Sequence, residues 1–421
     1  METKNYLAIL RAELRPALGC TEPIAVALAV ARAREALGGM PDAVRLRVSR
    51  NILKNAMGVG IPGTGMVGLE VAAALSCVAG RSAYGLEVLA GAGEEDCARA
   101  RRLAAQRLVQ VEAKETDKKL YIEAELTRGG HTALCVIEDT HMNIVLVTLD
   151  GAVLERGQPQ GQHAGAAAEH ALSVAGIYRF ATTVDAGELQ FLRDVIQMNE
   201  AVAQEGLRRD YGMRVGRVLR GDGPESEVSL KDYAVAYTAA AADARMAGCT
   251  LPVMSTAGSG NQGLTATLPV VAVARRLDLD EESLLRAQAL SQLITIHIKT
   301  HIGRLSPLCG CAIAASIGSC CGVTYLLGGA LEAMQCAVQN MIADISGLIC
   351  DGAKSGCALK IATSVASAMQ CAQLALAGVS AGCLDGIIAT DVEQTIRNLG
   401  SLGNLGMQTT DRVILDMMIA K

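Results

Sequence analysis

The chain has 421 residues, 51% of them hydrophobic but only 2% aromatic, with 44 Gly, no Trp and a formal net charge of −5. That length allows one to three domains with a large core of Ala, Val, Leu and Ile. The mild acidity, without any long basic run, excludes nucleic acid as the main partner. There are 14 Cys, and Met1-Glu2-Thr3-Lys4 leads straight into an amphipathic segment rather than a secretory signal. A reducing, cytoplasmic setting, where thiols stay free or bind metal, is expected.

Ala/Leu periodicity over 5–38, closed by Gly38-Gly39, predicts helix. Ala43–Val48 alternates as a strand, and 66–79 reads as a further helix. Residues 84–155 are the most strand-like region, with runs at 86–89, 108–111, 120–126, 131–137 and 144–147 and one helix at about 93–106. Residues 156–184 form a polar connection read as a linker, and 185–421 reads as helical with Gly-rich loops at 255–263, 303–311 and 351–357. The apolar run 309–331 approaches the ~20 residues that span a bilayer. Its small residues and four Cys make it a buried core helix instead, so no membrane partner is expected. The predicted fold is α+β: a mainly helical catalytic body (1–40 and 185–421) with a smaller inserted mixed α/β-sheet domain (41–155).

Four loops carry signals for chemistry. In Gly19-Cys20-Thr21-Glu22-Pro23, Cys20 stands at a helix N-terminus, which favours the thiolate, while Glu22 opposes it by like charge. The plainer role for this segment is capping, with Thr21 as cap and Pro23 in the first turn. In the second loop, Lys54 and Asn55 precede Gly58-Val59-Gly60-Ile61-Pro62-Gly63-Thr64-Gly65. Its glycines and Thr64 can present N–H groups to a carboxylate, or serve only as a strand-to-helix turn. The third, Ser255–Gly263, offers Ser259, Asn261 and Gln262 as a cradle for an amino acid's carboxylate, with a simple turn as the alternative. It has the look of the Ser-Gly-Asn loop of fold-type II pyridoxal-phosphate (PLP) dehydratases, yet no cofactor Lys with its own phosphate loop follows.

The fourth signal is the cysteine region. Cys309 and Cys311 lie in Pro307-Leu308-Cys309-Gly310-Cys311, and Cys350 and Cys357 in the run 349–357. Forty residues lie between Cys309 and Cys350 and six between Cys350 and Cys357. Thiols in small-residue loops are what an iron–sulfur cluster needs, and three thiolates on four irons would leave one iron open as a Lewis acid. Neither common ferredoxin spacing is present, and buried Cys is also an ordinary core residue. His297, Lys299, His301 and Arg304 stand just upstream, where a His can orient substrate, move a proton or simply donate a structural hydrogen bond.

The motifs Gly19–Pro23, Lys54–Gly65, Gly258–Gly263 and Asp344–Lys354 together resemble the L-cysteine desulfidase family, which is related to the iron–sulfur L-serine dehydratases. The resemblance runs from near Cys20 to Thr410-Asp411-Arg412. It implies a PLP-independent elimination that takes L-cysteine to pyruvate, ammonia and hydrogen sulfide on an oxygen-sensitive [4Fe-4S] cluster. Cys309, Cys350 and Cys357 match the order of the cluster cysteines in the serine enzymes, although the last gap is shorter here. Cys311 is an alternative ligand, and Cys20 a third or a displaceable fourth. Cys20 or Lys54 would be the base, with Asn55, Thr64, Ser259, Asn261 and Gln262 holding substrate. An L-serine dehydratase and a non-catalytic redox sensor are the alternatives, and a homo-oligomer is left open.

Overall fold

The computed structural model describes residues 1–158, 172–303 and 306–420; the middle of the expected linker and Arg304 lie outside the described residues. The strands are β1 (Leu14–Ala17), β2 (Ala43–Val48), β3 (Val109–Ala113), β4 (Tyr121–Arg128), β5 (His131–Glu138), β6 (Ile144–Leu149), β7 (Ala152–Arg156) and β8 (Val253–Thr256). Six of them form one sheet in the order β3-β2-β4-β5-β6-β7. The β2–β3 pair is parallel and the others antiparallel, so the sheet is mixed. Alternation in β2 turns Val44, Leu46 and Val48 into the core. On the other face Arg47 pairs with Glu123 and Glu125 on β4. That division of apolar and charged residues holds the register, because a one-residue slip would bury the arginines.

Thr21–Leu37 and Leu69–Ala79 are the helices that cover the sheet's apolar face. Thr21–Leu37 differs from its expected place in the helical body: Ile24 through Ala31 are all buried in the same core as Val44, Leu46 and Ile122. Its Ile/Ala/Val sequence is apolar all round, so it is stable only when packed on several sides. The continuous helix expected over 5–38 is broken by β1 and by Gly19 at φ +77. The run at 86–89, expected as a strand, falls at a tight 3₁₀ turn, Ser82–Glu87, in which Gly85 has φ +56. Lacking an extended partner, that short run has no ladder to join.

The remaining residues build a second core from helices. Its centre is Leu230–Met246, buried continuously from Ala234 to Met246. Its alanines admit close neighbours: a Cβ on Gly206 would stand 2.1 Å from the Ala240 carbonyl oxygen, and one on Gly216 2.3 Å from the Ala240 nitrogen. The apolar run at 309–331 forms a buried π-helical turn, Cys311–Ala315, that leads into helix Ser316–Leu326. No helix among the described residues is long and apolar enough to cross a membrane. A third, small cluster of Cys20, Val59, Met246 and Cys357 lies where sheet domain and body meet.

Candidate active site

The cysteine loops come together through backbone pairing. Leu308 and Ile349 form an antiparallel bridge, flanked by bonds from the Cys309 N–H to the Leu348 carbonyl (2.9 Å) and from the Cys350 N–H to the Pro307 carbonyl (2.6 Å). Two distant segments are thereby laid side by side. The Cys309 and Cys311 sulfurs are 3.5 Å apart. Cys357 opens the helix Cys357–Leu376 after a turn in which Gly352 has φ +89. A Cβ on Gly352 would meet the Lys54 carbonyl oxygen at 2.2 Å, so only Gly lets this loop approach Lys54.

The electrostatics join these thiols further. Cys309 is pulled down to about 6, chiefly by the hydrogen bond from Cys311 and then, against burial, by the Ala312 N–H and the Lys360 and Lys299 ammoniums. Cys311 is raised by its bond to Cys309, by burial, and by the negative charge of Cys309, Cys357 and Cys350. Burial pushes Cys357 up to about 11, with Cys309 and Cys350 adding to the effect. Burial and Cys309 raise Cys350, while Lys54, the Gly352 N–H and Lys299 oppose them. These four thiols therefore sense one another within a ring of lysines. Among the described residues no three His, Cys, Asp or Glu side chains converge on one point to hold a single ion. A polynuclear cluster spreads its thiolates over different irons, and soft sulfur donors with cations nearby suit it. By donor chemistry the residues present fit such a group.

Beside them stands Cys20, at the N-cap of Thr21–Leu37. The pairing of β1 with β8 brings this segment against the loop before helix Gly260–Arg276, so that Thr21 Oγ1 reaches the Gly258 carbonyl at 3.3 Å. Cys20 Sγ donates to Glu22 Oε2 at 3.1 Å, and Asn55 Nδ2 donates to Glu22 Oε1 at 3.3 Å. The helix N-terminus does not lower this thiol as expected. Burial first, and the Glu22 charge second, raise it well above the ordinary cysteine range, outweighing Arg245. Cys20 is therefore a thiol whose proton already points at a carboxylate. Lys54, the other expected base, is buried, with Nζ bonded to Asp411 Oδ1 (2.5 Å) and the Cys350 carbonyl (3.2 Å).

The residues expected to hold substrate divide. Asn261 Oδ1 accepts from Arg245 at 2.9 Å, and Ser259 is half-buried at the start of the same helix. Gln262 turns inward: its Nε2 donates to the Thr256 carbonyl (2.8 Å), and a Cβ on Gly310 would sit 2.2 Å from its Oε1. Gln262 thus seats the Cys309 loop against the Ser259 loop. Thr64 is spent on its own turn, donating to the Ile61 carbonyl at 2.8 Å and accepting from the Met66 N–H. Much of the glycine loop's donor capacity is used within the fold. The N–H groups of Gly60, Ile61, Gly63 and Gly68 bond to the carbonyls of Met246, Met66, Gly248 and Val59.

His297 and His301 face away from the thiols. Lys299 Nζ would lie 2.8 Å from a Cβ on Gly310, and residues two apart on a helix point about 200° apart. His297 Nε2 instead bonds Glu393 Oε2 at 2.7 Å, and the two His rings stack edge-on. Arg245 and Lys360 were missed from sequence, as was the pairing of Asp411 with Lys54. A signal existed for the first, since Asp243 and Arg245 interrupt the otherwise apolar run Ala239–Met246.

A family model described as the serine dehydratase alpha chain matches residues 83–416, a span that holds all four thiols of the cysteine loops. The class is that of the dehydratase-like lyases of the iron–sulfur type. A UPF0597 protein of Oleidesulfovibrio alaskensis is 45% identical over 423 residues, covering 100% of this chain and 99% of the relative. A UPF0597 protein of Clostridium perfringens is 45% identical over 418 residues, covering 99% and 98%. One of Bacteroides thetaiotaomicron is 44% identical over 423 residues, covering 100% and 98%. The chain belongs to the serine dehydratase alpha chain family.

Proposed function

We propose that the chain is an L-cysteine desulfidase that eliminates sulfide from L-cysteine without PLP, using a [4Fe-4S] cluster held by Cys309, Cys350 and Cys357. The observation that carries this reading is the shared packing of Cys20 with Cys357, which sets a thiol–carboxylate pair beside the proposed ligands. When bound, the cluster supplies an open iron as a Lewis acid for the β-substituent, and thiolate sulfur is the soft donor that iron takes well.

The chain's own residues handle the protons. As the C–S bond breaks, Cys20 Sγ takes the Cα proton while its own proton passes to Glu22, and Glu22 then returns that proton to the departing sulfide. The aminoacrylate released tautomerises and hydrolyses to pyruvate and ammonia. Lys54 neutralises charge and ties the Cys350 carbonyl to the C-terminal helix Thr410–Ile419. Gln262 keeps the cysteine and Ser259 loops in register, and Asn261 orients Arg245.

A second reading, L-serine dehydratase, is favoured by the description of the matching family. Anaerobic product analysis with both substrates separates them. Sulfide and pyruvate from L-cysteine, with little pyruvate from L-serine, are expected. Efficient turnover of L-serine alone moves the assignment to the dehydratase.

A further inference from the structure

Arg245 is 4% exposed and forms no ion pair among the described residues. Its Nη1 and Nη2 donate to Asn261 Oδ1 (2.9 Å) and the Gly19 carbonyl (2.8 Å), both neutral acceptors. Among the described residues its Nε is buried with no hydrogen-bond partner, and so is Oδ1 of Asn55. A buried guanidinium without an anion is costly, as is a buried amide oxygen without a donor. Both groups border the turn that carries Cys20: Arg245 through Gly19, and Asn55 through Glu22. The fold is also shaped around the arginine, since a Cβ on Gly260 would stand 2.3 Å from Nε.

One orphan is a cationic donor and the other an acceptor, and a free amino acid carries the two groups that complement them. We infer that Arg245 and Asn55 form a subsite for a zwitterionic α-amino acid. Arg245 takes the α-carboxylate and Asn55 Oδ1 takes the α-ammonium, holding Cα beside Cys20. This inference rests on the elimination reading and deepens it: the site selects substrate by its amino-acid head, independently of the β-substituent. It also transfers the carboxylate from the Gly58–Gly65 loop, where the N–H groups of Gly60, Ile61, Gly63 and Thr64 are already bonded to carbonyls, to a residue of the helical body. Arg245 is a binding residue, and Asn261 positions it.

The test uses the anaerobic holoenzyme and ligands that cannot react. L-Alanine has both head groups and no leaving group; L-alaninamide lacks the carboxylate, and propionate lacks the ammonium. Thermal-shift titration should show saturable stabilisation by L-alanine, with the other two at least about tenfold weaker. Arg245→Lys, which keeps charge but loses the fork, should lose the preference for L-alanine over L-alaninamide. Asn55→Ala should lose the preference for L-alanine over propionate. Equal binding of all three ligands by the native enzyme, or full discrimination in both variants, overturns the subsite. If Arg245→Lys fails to fold, the native ligand series and Asn55→Ala decide the matter. L-Alanine binding with this pattern, but no pyruvate from L-cysteine or L-serine, would sink the elimination reading and leave the subsite standing.

Discussion

Lys54 Nζ sits 2.5 Å from Asp411 Oδ1 and 3.2 Å from the carbonyl oxygen of Cys350, so one buried ammonium ties the C-terminal helix to a thiol loop. Removing Asp411 would leave that charge unpaired in the interior. Asp411→Ala is expected to lower stability by about 1–3 kcal/mol, since a buried ionic donor loses its acceptor. Replacing both partners with Lys54→Met and Asp411→Leu should recover much of the loss, because the buried charge disappears with its partner. Urea unfolding of the two variants checks this; equal stability of Asp411→Ala and the native chain would make the pair inert.

The proposed cluster gives a compositional prediction. Anaerobically reconstituted protein should hold close to four iron and four sulfide per chain and absorb broadly near ~400 nm. Cys309→Ala and Cys350→Ala should abolish both. Cys357→Ala and Cys311→Ala discriminate the third ligand: the variant that loses iron marks it, and the other should retain it. Retention of full iron by Cys309→Ala and Cys350→Ala together would remove these residues from the ligand set.

What the sequence made legible was what local pattern controls. Ala43–Val48 was predicted to the residue because alternation and its flanking turns are local. Most of the remaining strands were placed for the same reason. Loop function was less legible, since it depends on partners distant in the chain. Thr64 and the glycines around it read locally as an anion cradle, whereas the carbonyls of Met246 and Gly248, distant in the chain, take the N–H groups of Gly60 and Gly63. The placement of Thr21–Leu37 with the sheet follows from packing, because an all-apolar helix carries no stripe that names its partner. For Cys20 the helix dipole and the opposing Glu22 charge are legible in the sequence, whereas the burial that dominates both is set by packing.

Asp243 gives a pH prediction with a definite sign. It is 1% exposed, and burial pushes its carboxyl up to about 6 against the N–H groups of Gly216, Met213 and Val215. An unfolded Asp titrates near ~3.9, so the fold favours the protonated form. The stability linked to that proton is fully present below about pH 4 and is lost as pH rises through about 6. Between about pH 5 and about pH 7.5 the native protein should lose about 1 kcal/mol relative to Asp243→Asn, which has no proton to release. Parallel thermal melts of the two proteins across that window test it, and a pH-independent difference would discard the assignment.

The Cys20–Glu22 pair separates a proton-handling role from metal ligation. Cys20→Ser should keep its iron and lose at least about 10²-fold in kcat, the ordinary scale of positioned acid–base catalysis. Glu22→Gln should leave Cys20 a hydrogen-bond acceptor but no carboxylate to take its proton. Its kcat should then climb with pH, because the thiol must lose its proton to bulk base. Loss of iron in Cys20→Ser would instead make the residue a ligand, and unchanged kinetics would make it a cap.

Substrate choice tests the desulfidase reading most directly. L-Cysteine and L-serine share their head groups, so Arg245, Asn55 and Asn261 should meet both alike, and Asn261→Ala should weaken both to the same degree. They differ at the β-substituent. A thiol ionises near about 8.5 and more readily on a metal, whereas a hydroxyl must leave as water with a proton supplied. The histidines that could have supplied it point elsewhere: His297 is bonded to Glu393, and His301 stacks on His297. With His297 and His301 both engaged away from the thiol loops, the oxygen leaving group is the harder one to expel. L-Cysteine should therefore exceed L-serine in kcat/KM by at least about tenfold, equivalent to roughly 1.4 kcal/mol of transition-state preference. Steady-state rates under strict anaerobiosis measure the ratio. A value at or below unity would assign the chain to serine, and would require that an acid other than His297 or His301 serve the leaving oxygen.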